Sequence, residues 1–572
     1  MSMTLLLFLW GTMDLIDGKG DLKVSKFKSS IILLIVLSVL FISFLSFNLF
    51  GINNTKGEEL KNSLEFSLNK KFGVSYKSDD SNLEFAKKEE STYIKAENMT
   101  MIYNLKDKGE KLGELHLTKR TIDNGDVFLF TRLNNMTEKR LEGKLTLTLP
   151  QSIKQYDLKD FDRMKNRAGL TTYPSALIRF YNKQNEKGHL MISKNYLSAP
   201  MQKGYENGNV SKVRHLLSED ENIKIQRKKE NIKLVIDFET TSNTISEQWI
   251  LLSNKKLFKE EKNINYWIKK NNEHGRRINT WYTDKGPYSK MPKSVEPQTE
   301  DYMAYGRKLL MFKEEEILLQ YKKTKERYFY DLLINSLVNL EQFRGDNKYW
   351  PTEVTSTWLK RSYGIKAPFI DTRFNERIAL YLRGVREEIG IDNQNKEVIN
   401  YADLLLKQQE LNNVIKVKEN AFYIPDYFSM KDNKITHTSL NHQLGGLQIL
   451  LSAYVITGDK KYLNVARQIQ NALDEQKDDW LTAEGDTWYK VMPDLQFGGE
   501  DYQMVTLRDL LNTIDYWRNA GQELSPIYEK FIRSKVNYLK SVDAEFSQEV
   551  VKLMKKEKYY YLIKRYPHIS KY

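Results

Sequence analysis

Four polar clusters in the second half of this 572-residue chain combine the residue types that acid–base chemistry requires. The candidate catalytic residues are Asp371, Tyr423, Tyr427, His442 and Glu500. The candidate substrate-binding residues are Trp358, Arg373, Glu376, Arg377, Asp426, His437, Trp488, Tyr489 and Asp501. Phenols, imidazoles and carboxylates exchange protons, and an arginine neutralises an anion. Together with the aromatic platforms, these types are what a sugar-acid site requires.

Each cluster also has a purely structural interpretation. Glu376 would cap a helix, and Arg373 and Arg377 would form surface ion pairs worth ~0–1 kcal/mol. His437 and His442 would bond to the backbone, and their five-residue separation does not put them on one helix face. Since no His-Glu-x-x-His spacing is present either, a metal site is disfavoured. The sequence indicates no cofactor.

The clusters lie just before, or at the start of, predicted helices. Ser439 is a natural N-cap, leucines recur at helical spacing, and Thr457-Gly458-Asp459 ends a helix predicted over Ser439 to Ile456. Nine helices are predicted beyond Asp301, against the twelve of a closed six-hairpin barrel. If the helices wind around a shared axis, the four clusters meet at one mouth.

The run NHQLGGLQILLSAYVITGDKKYLNVARQI, Asn441 to Ile469, resembles a hairpin of the C-terminal domain of glucuronyl C5-epimerases. The inner helix, TGD turn and outer helix are similar, and the match extends more loosely to other six-hairpin (α/α) toroid enzymes. The resemblance covers at most about Met303 to Tyr516. It implies an isomerase that removes the proton beside a uronate carboxylate and returns one on the opposite face.

The resemblance also implies roles for the candidate residues, with alternatives open at each. The carboxylate would bind Arg373 or Arg377, and the proton carriers would be Tyr423 or Tyr427 with Glu500 or His442 opposite. A lyase would share the first step and then eliminate. A glycoside hydrolase would instead use two carboxylates from Asp371, Asp426, Asp486 and Glu500, with Trp358 and Trp488 as platforms. A glycan-binding scaffold without activity is the third hypothesis.

The first half of the chain predicts a different architecture. From 91 to 254, apolar residues recur at every second position in many short segments, a pattern that is typical of an antiparallel β-sandwich. Residues 255–300 are predicted to be a linker, 301–550 an all-α, toroid-like domain, and 551–572 a basic aromatic tail. The predicted fold class is therefore multidomain: a single N-terminal transmembrane helix, the sandwich, and the (α/α) domain.

The transmembrane helix is predicted from Ile31 to Phe50, which carries no charge and follows four lysines. Residues 1–30 would then be cytoplasmic, 51–90 a stalk with leucines at a spacing of four, and the remainder extracytoplasmic.

The net charge of +14 favours an anionic partner. Because the basic residues are dispersed and no nucleic-acid motif accompanies them, a polysaccharide is preferred to nucleic acid. With no cysteine, thiol catalysis and disulfides are excluded. The oligomeric state is not indicated.

Overall fold

The computed structural model describes residues 61–160, 174–183, 185–228, 231–274, 281–307, 312–391, 395–429 and 434–570. These residues belong to one compact unit. Within it, two antiparallel sheets are followed by a layered array of helices.

The smaller sheet has five strands. In spatial order they are β1 (Ser63–Ser67), β2 (Gly73–Ser78), β7 (Leu141–Thr148), β14 (Asn231–Thr240) and β13 (Ile223–Lys228). Strand β7 alternates between buried and less buried positions along its length. Leu145 and Leu147 therefore face inward, where they pack against Leu115 and Leu133 of the second sheet.

The larger sheet has thirteen strands. Its main path is β16 (Trp281–Thr283), β17 (Gly286–Lys290), β19 (Ala304–Arg307), β12 (Val210–Asp220), β11 (Asn195–Gly204), β15 (Ile245–Ser253), β6 (Val127–Asn135), β5 (Glu110–Ile122), β4 (Ala96–Asp107) and β3 (Asn82–Tyr93). The side branch is β10 (Asn185–Ser193) on β15, then β9 (Pro174–Asn182) and β8 (Gln155–Asp160).

Around β6, both faces of the larger sheet are buried. In β6, Leu129 packs toward the smaller sheet, while Phe128 and Phe130 belong to a cluster with helical residues such as Phe329 and Leu333. The continuous apolar run at the start of β6 follows from this double burial, because neither face meets water. The sheet is thus the middle layer between the smaller sheet and the helices.

The described residues contain eleven α-helices. They are α1 (Glu261–His274), α2 (Phe312–Thr324), α3 (Arg327–Arg344), α4 (Thr357–Tyr363), α5 (Thr372–Glu388), α6 (Lys396–Glu410), α7 (Leu440–Thr457), α8 (Lys460–Glu475), α9 (Val505–Asn519), α10 (Ile527–Ser541) and α11 (Gln548–Lys556). Helices α5, α7 and α9 are neighbours in an inner row, and α6, α8 and α10 each pack as the hairpin partner of the helix before them.

Short strands link the loops between these helices. They are β18 (Val295–Glu296), β20 (Thr355–Ser356), β21 (Ile370–Asp371), β22 (Ile415–Lys418), β23 (Ala421–Tyr423), β24 (Tyr427–Phe428), β25 (Thr438–Ser439), β26 (Trp488–Val491) and β27 (Phe497–Glu500). Helix α7 lies at the centre of the array and is buried on all sides from Leu440 to Ala453. It ends at Gly458, whose φ of 72° lies in the left-handed region, which glycine adopts without strain.

The predicted fold class is wrong for the part of the chain that the structure describes. No helix among the described residues is long and apolar enough to cross a membrane, and the predicted span, Ile31 to Phe50, lies outside those residues. The second half is also not an independent all-α domain, since its helices share a core with the larger sheet and its loops contain nine short strands. The extracytoplasmic location inferred from that span stays an untested prediction.

Two segment predictions also need correction. In residues 61–90, the described part of the predicted stalk, the structure has β1, β2 and the start of β3. Within the predicted linker, 255–300, it has α1, β16, β17 and β18. The buried residues Leu68 and Trp267 show why: each segment packs into a core, and tertiary contacts override the local pattern.

Candidate active site

The loops that precede the inner helices are joined by short strand pairs. Strands β21 and β24 place Asp371 opposite Tyr427, and β25 and β26 place Ser439 opposite Lys490. Asp371 also caps helix α5 by accepting a hydrogen bond from the amide of Phe374 at 3.0 Å. Because paired strands fix which side chains are neighbours, residues from three distant loops lie together at the N-terminal end of the inner row.

His437 lies at the centre of this end and is enclosed by aromatic rings. Its imidazole stacks on Tyr363, with ring centroids 5.7 Å apart and an interplanar angle of 24°. The centroids of Trp358, Tyr427 and Tyr489 lie at 5.4, 5.8 and 6.1 Å. The imidazole is fully buried, whereas the four surrounding rings are each partly exposed. The surrounding phenols therefore connect a buried histidine to solvent.

A chain of polar contacts runs from Tyr363 through His437 to Asp426. The Tyr363 hydroxyl lies 3.1 Å from Nδ1 of His437, and Nε2 lies 3.4 Å from Oδ2 of Asp426. We assign the tautomer with Nε2 protonated, so that the phenol donates to Nδ1. Nε2 makes no hydrogen bond with a residue that the structure describes, so its approach to Asp426 is a contact and not a hydrogen bond. Asp426 also accepts from the backbone amide and hydroxyl of Ser439, at 2.8 and 2.6 Å.

A second imidazole lies on the other side of Asp426. Nδ1 of His442 is 3.5 Å from Oδ1 of Asp426 and 2.6 Å from the hydroxyl of Thr372. Its ring centroid is 5.8 Å from that of Tyr427. The carboxyl group of Asp426 is thus shared between two histidines, and each histidine touches a tyrosine.

Burial favours the uncharged form of every group in this cluster. It raises the pKa of Asp426 well above its usual range and lowers the pKa of His437 to about 3, with Lys490 adding to the latter effect. Burial also raises the pKa of Tyr363 and, together with the nearby carboxyl groups, that of Tyr427. At neutral pH both phenols carry their protons, and the imidazole of His437 is free to accept one.

One cation stands at the edge of the cluster. The ammonium group of Lys490 lies 5.8 Å from the ring centroid of Trp358, and it forms no ion pair with any residue that the structure describes. Lys490 is partly exposed. Its charge is therefore available to an anion that enters beside the aromatic rings.

A cavity of about 220 Å³ is lined by two of these rings, those of Trp358 and Tyr427, whereas His437, Tyr363 and Lys490 do not line it. Trp358, Asp371 and Tyr427 line one side, and Arg307 from β19 lines another. The remaining wall is largely apolar and comes from both layers of the molecule, including Val295, Phe343, Val354, Phe369 and Ile378. An apolar cavity with a few convergent polar groups is the usual form of a small-molecule site.

The other predicted site residues lie outside this cluster. Arg373 pairs with Glu376 and with Asp509 beneath the inner helices, and Arg377 pairs with Glu315. These arginines are therefore neutralised by the protein's own carboxylates and do not line the cavity.

Four further candidates are also placed elsewhere. Tyr423 is buried, and its hydroxyl donates to the carbonyl of Ala472. Trp488 packs against the helical core, and Glu500 is exposed on β27. Asp501 is held by Lys535 in a buried ion pair. The structure thus brings together Trp358, Asp371, Asp426, Tyr427, His437, His442 and Tyr489.

The sequence interpretation missed two members of the cluster, Tyr363 and Lys490. Tyr363 is the last residue of α4 and lies five positions after Trp358. Lys490 lies on β26, directly after Tyr489, where strand alternation gives no reason to select it. A search for titratable residues within a few positions of each predicted aromatic platform would have found both.

Comparison with known proteins gives limited information. No protein-family model and no curated protein matches the chain. Solved structures that resemble it in part include a cellobiose 2-epimerase from Spirochaeta thermophila, at 10% identity over 40% of this chain and 51% of that one, with a TM-score of 0.27. A family 76 glycoside hydrolase from a bovine Bacteroides thetaiotaomicron strain is 13% identical over 72% and 88%, with a TM-score of 0.30.

An unsaturated glucuronyl hydrolase from Bacillus is 12% identical over 43% of this chain and 71% of its own, with a TM-score of 0.26. The chain therefore spans about half the length of the epimerase and more of the two hydrolases. All three are carbohydrate-active enzymes by name. Their TM-scores are too low to carry an argument about the reaction, and no match supports glucuronyl C5-epimerase specifically.

Proposed function

We propose that the chain is a carbohydrate-active enzyme that moves a proton at the carbon beside a uronate carboxylate in an anionic polysaccharide. The observation that carries the proposal is the contact chain from Tyr363 through His437 to Asp426. A phenol with a raised pKa is a poor base at neutral pH unless its own proton has an acceptor. The imidazole of His437, 3.1 Å away, offers Nδ1 as that acceptor, and because its pKa is lowered to about 3 the transfer is an uphill step that the bound substrate must stabilise.

In this mechanism Tyr363 is the base. Its proton passes to Nδ1 of His437, and the resulting phenolate takes the proton from the substrate carbon. Asp426 lies 3.4 Å from Nε2 of the imidazolium that forms, and it would stabilise this cation as a triad carboxylate does once its own proton has left. The raised pKa of Tyr427 keeps that phenol protonated, which suits it to return a proton to the opposite face of the enolate.

Lys490 supplies the charge that the reaction needs. Removing a proton beside a carboxylate places a second negative charge on that group, and a cation stabilises this charge as it develops. The predicted arginines are neutralised by internal carboxylates, whereas Lys490 has no ion pair among the described residues. We therefore assign the substrate carboxylate to Lys490 and the sugar ring to the face of Trp358.

The test is solvent exchange at the reacting carbon. The full chain is incubated with polyglucuronate in D₂O, and loss of the proton signal beside the carboxylate is followed by NMR. We expect Tyr363→Phe and Tyr427→Phe to slow exchange about 10²–10⁴-fold. The control, Tyr561→Phe, changes an exposed tyrosine in the C-terminal segment and should exchange at the wild-type rate. Wild-type exchange in Tyr363→Phe would contradict the mechanism.

The same experiment distinguishes the other carbohydrate chemistries. A lyase would produce an unsaturated sugar and shorter chains, because the enolate expels its neighbouring oxygen. A hydrolase would shorten the polymer with no exchange and no unsaturation. Of the predicted hydrolase carboxylates, Asp486 is paired with Lys535 and Glu500 lies exposed on β27, so neither lies beside Asp371 and Asp426. The pair that would carry hydrolysis is then Asp371 with Asp426, and shortening of the polymer without exchange would assign the reaction to it.

A further inference from the structure

A second concavity lies on the larger sheet, next to the cavity described above. It has a volume of about 520 Å³ and is bordered by β11, β12, β17 and β19. Five cationic side chains line it, and Glu353 is the one carboxylate among its described lining residues. The cations are Arg132, Lys212, Arg214, Lys285 and Arg307. We call this concavity the basic groove.

We propose that the basic groove binds the carboxylate or sulfate groups of an anionic polysaccharide at sugars adjoining the reacting one. The assignment of these sugars as neighbours of a reacting uronate rests on the proposed function. The binding of a polyanion in the groove does not, because it follows from the charges and shape of the groove itself.

Three of the five cations have structural partners. The pairs are Arg132 with Asp284, Arg214 with Glu247, and Arg307 with Glu353. Arg214 is buried and also packs on the ring of Tyr288, with its guanidinium carbon 4.5 Å from the ring centroid. These arginines form the floor and one wall of the groove and give it a fixed shape.

The remaining two cations, Lys212 and Lys285, are exposed, and neither forms an ion pair with a residue in the described part of the chain. Their backbones are nevertheless held in place. The amide of Lys212 donates to the carbonyl of Glu353 at 3.2 Å, and Arg307 donates to the carbonyl of Lys285 at 3.2 Å. Two ammonium groups are thus presented from fixed backbone positions without a direct ion pair among the described residues, although the charge of Lys285 also acts on Asp284 and Glu89.

Arg307 connects the basic groove to the candidate active site. Its side chain lines both the groove and the cavity that contains Asp371 and Tyr427. A polymer with one sugar at Tyr427 would place the next sugars past Arg307 and over Lys212 and Lys285. A concavity of this size suits a few sugar residues, whereas nucleic-acid duplexes are bound over much larger open surfaces.

The test compares two double charge reversals in the full chain. Lys212→Glu with Lys285→Glu changes the groove, and Lys460→Glu with Lys552→Glu changes two exposed lysines on α8 and α11 by the same net charge. Binding of fluorescently labelled polyglucuronate, dextran sulfate and neutral dextran is measured by anisotropy. We expect the groove variant to lose affinity for at least one polyanion by on the order of tenfold or more. The control should change less than about twofold.

Equal losses in both variants would mean that net charge alone governs binding and would overturn the proposal, as would unchanged binding in the groove variant. If the groove variant loses affinity for polyglucuronate alone, the groove binds carboxylates. If it loses affinity for dextran sulfate alone, the groove binds sulfates. Binding of duplex DNA with the same dependence on Lys212 and Lys285 would overturn the assignment to polysaccharide. Neutral dextran should not bind measurably to either protein.

The two proposals fail in different ways. If the groove variant loses affinity for polyanions but neither wild type nor variant exchanges protons, the proposal for the basic groove is supported and the proposed reaction is wrong. If wild-type protein exchanges protons and the groove variant binds normally, the reaction stands and the groove fails. Tyr363→Phe should bind polyglucuronate normally while it loses exchange, which separates binding from chemistry in a single variant.

Discussion

Two buried clusters of ionisable side chains in the helical half make opposite use of similar residues. In the first, Lys535 lies fully buried between Asp486 and Asp501, with its ammonium group 2.5 and 2.8 Å from their oxygens. Hydroxyl groups of Thr487 and Thr506 complete the bonding of Asp501. Each carboxylate thus meets a cation, and we call this group the closed cluster.

In the second, Asp426 is equally buried but meets no cation. Its partners are the amide and hydroxyl of Ser439 and two imidazoles at 3.4 and 3.5 Å. We call Asp426, His437, His442 and Tyr363 the open cluster. Burial alone therefore does not identify a site of chemistry. In the closed cluster, the cation Lys535 keeps the carboxylates ionised. In the open cluster, a proton can pass from one group to another without a change in the net charge of the cluster.

The largest expected effect is on the closed cluster. Lys535→Ala leaves two buried carboxylates without a counter-charge, so we expect it to lower the free energy of unfolding by about 3–5 kcal/mol. Lys530→Ala, on the same helix with a 38% exposed side chain, should cost about 1 kcal/mol or less. Urea denaturation of both variants measures the difference. Similar losses would show that the burial of Lys535 is energetically unimportant.

The open cluster should respond in rate instead of stability. Asp426→Asn keeps an oxygen for the backbone amide of Ser439, and the Ser439 hydroxyl can accept from the new amide group, but the carboxyl group behind His437 is lost, so we expect proton exchange to slow about 10²–10⁴-fold. The double variant with Tyr363→Phe should be little slower than either single variant, because the residues act as one unit. Multiplicative losses in the double variant would indicate that they act independently.

The Arg373 cluster is an intermediate case that steric substitution can test. A Cβ at position 445 would overlap the carboxylate of Glu376, whereas at 446 it would only reach Leu405 at 4.0 Å. We expect Gly445→Ala to destabilise the fold by about 1–3 kcal/mol. Gly446→Ala should be neutral or stabilising by up to about 1 kcal/mol, because alanine favours helix more than glycine does. Equal thermal midpoints would contradict the predicted overlap.

The same cluster should give a smaller, pH-dependent effect. Burial raises the pKa of Glu376 to about 8, above the value of ~4.3 for an unfolded chain. Between these values the folded protein binds more protons than the unfolded one, so this group's contribution to stability is lost as pH rises. The dependence reaches at most about 1.4 kcal/mol per pH unit.

Glu376→Gln should remove this dependence, so the stability difference between wild type and variant should change between pH ~4.5 and ~8. Glu315→Gln is the control, because Glu315 has a 40% exposed side chain and pairs with Arg377 at the surface. Urea midpoints measured across this range give the result. Parallel curves for wild type and Glu376→Gln would show that Glu376 ionises normally.

Local patterns in the sequence predicted elements better than they predicted partners. The predicted helix Ser439 to Ile456 is confirmed as Leu440–Thr457, because its N-cap, apolar spacing and terminal glycine all agree. The leucine spacing in the predicted stalk was misleading. A spacing of four places side chains on one face of a strand as well as on one face of a helix, and the segment forms β1, which pairs with β2. Strand pairing depends on residues far away in sequence, which a local period does not show.

The candidate site was predictable in part for the same reason. Aromatic, carboxylate and histidine residues just before helices did converge, since α5, α7 and α9 begin at the same end. The arginines could not be assigned, because the partner of Arg373 is Asp509, 136 positions later. Tyr423 was indistinguishable from Tyr427 by type, although one hydroxyl bonds a core carbonyl and the other ring lines the cavity.

The double burial of the larger sheet limits how the protein can be divided. Excision of the helical half alone would uncover Phe329, Leu333 and their neighbours, which pack on Phe128 and Phe130. It would also separate β19, which carries Arg307, from its partner strands β12 and β17. Proteolysis or truncation near residue 300 should therefore yield insoluble fragments, and the intact protein should melt in a single cooperative step.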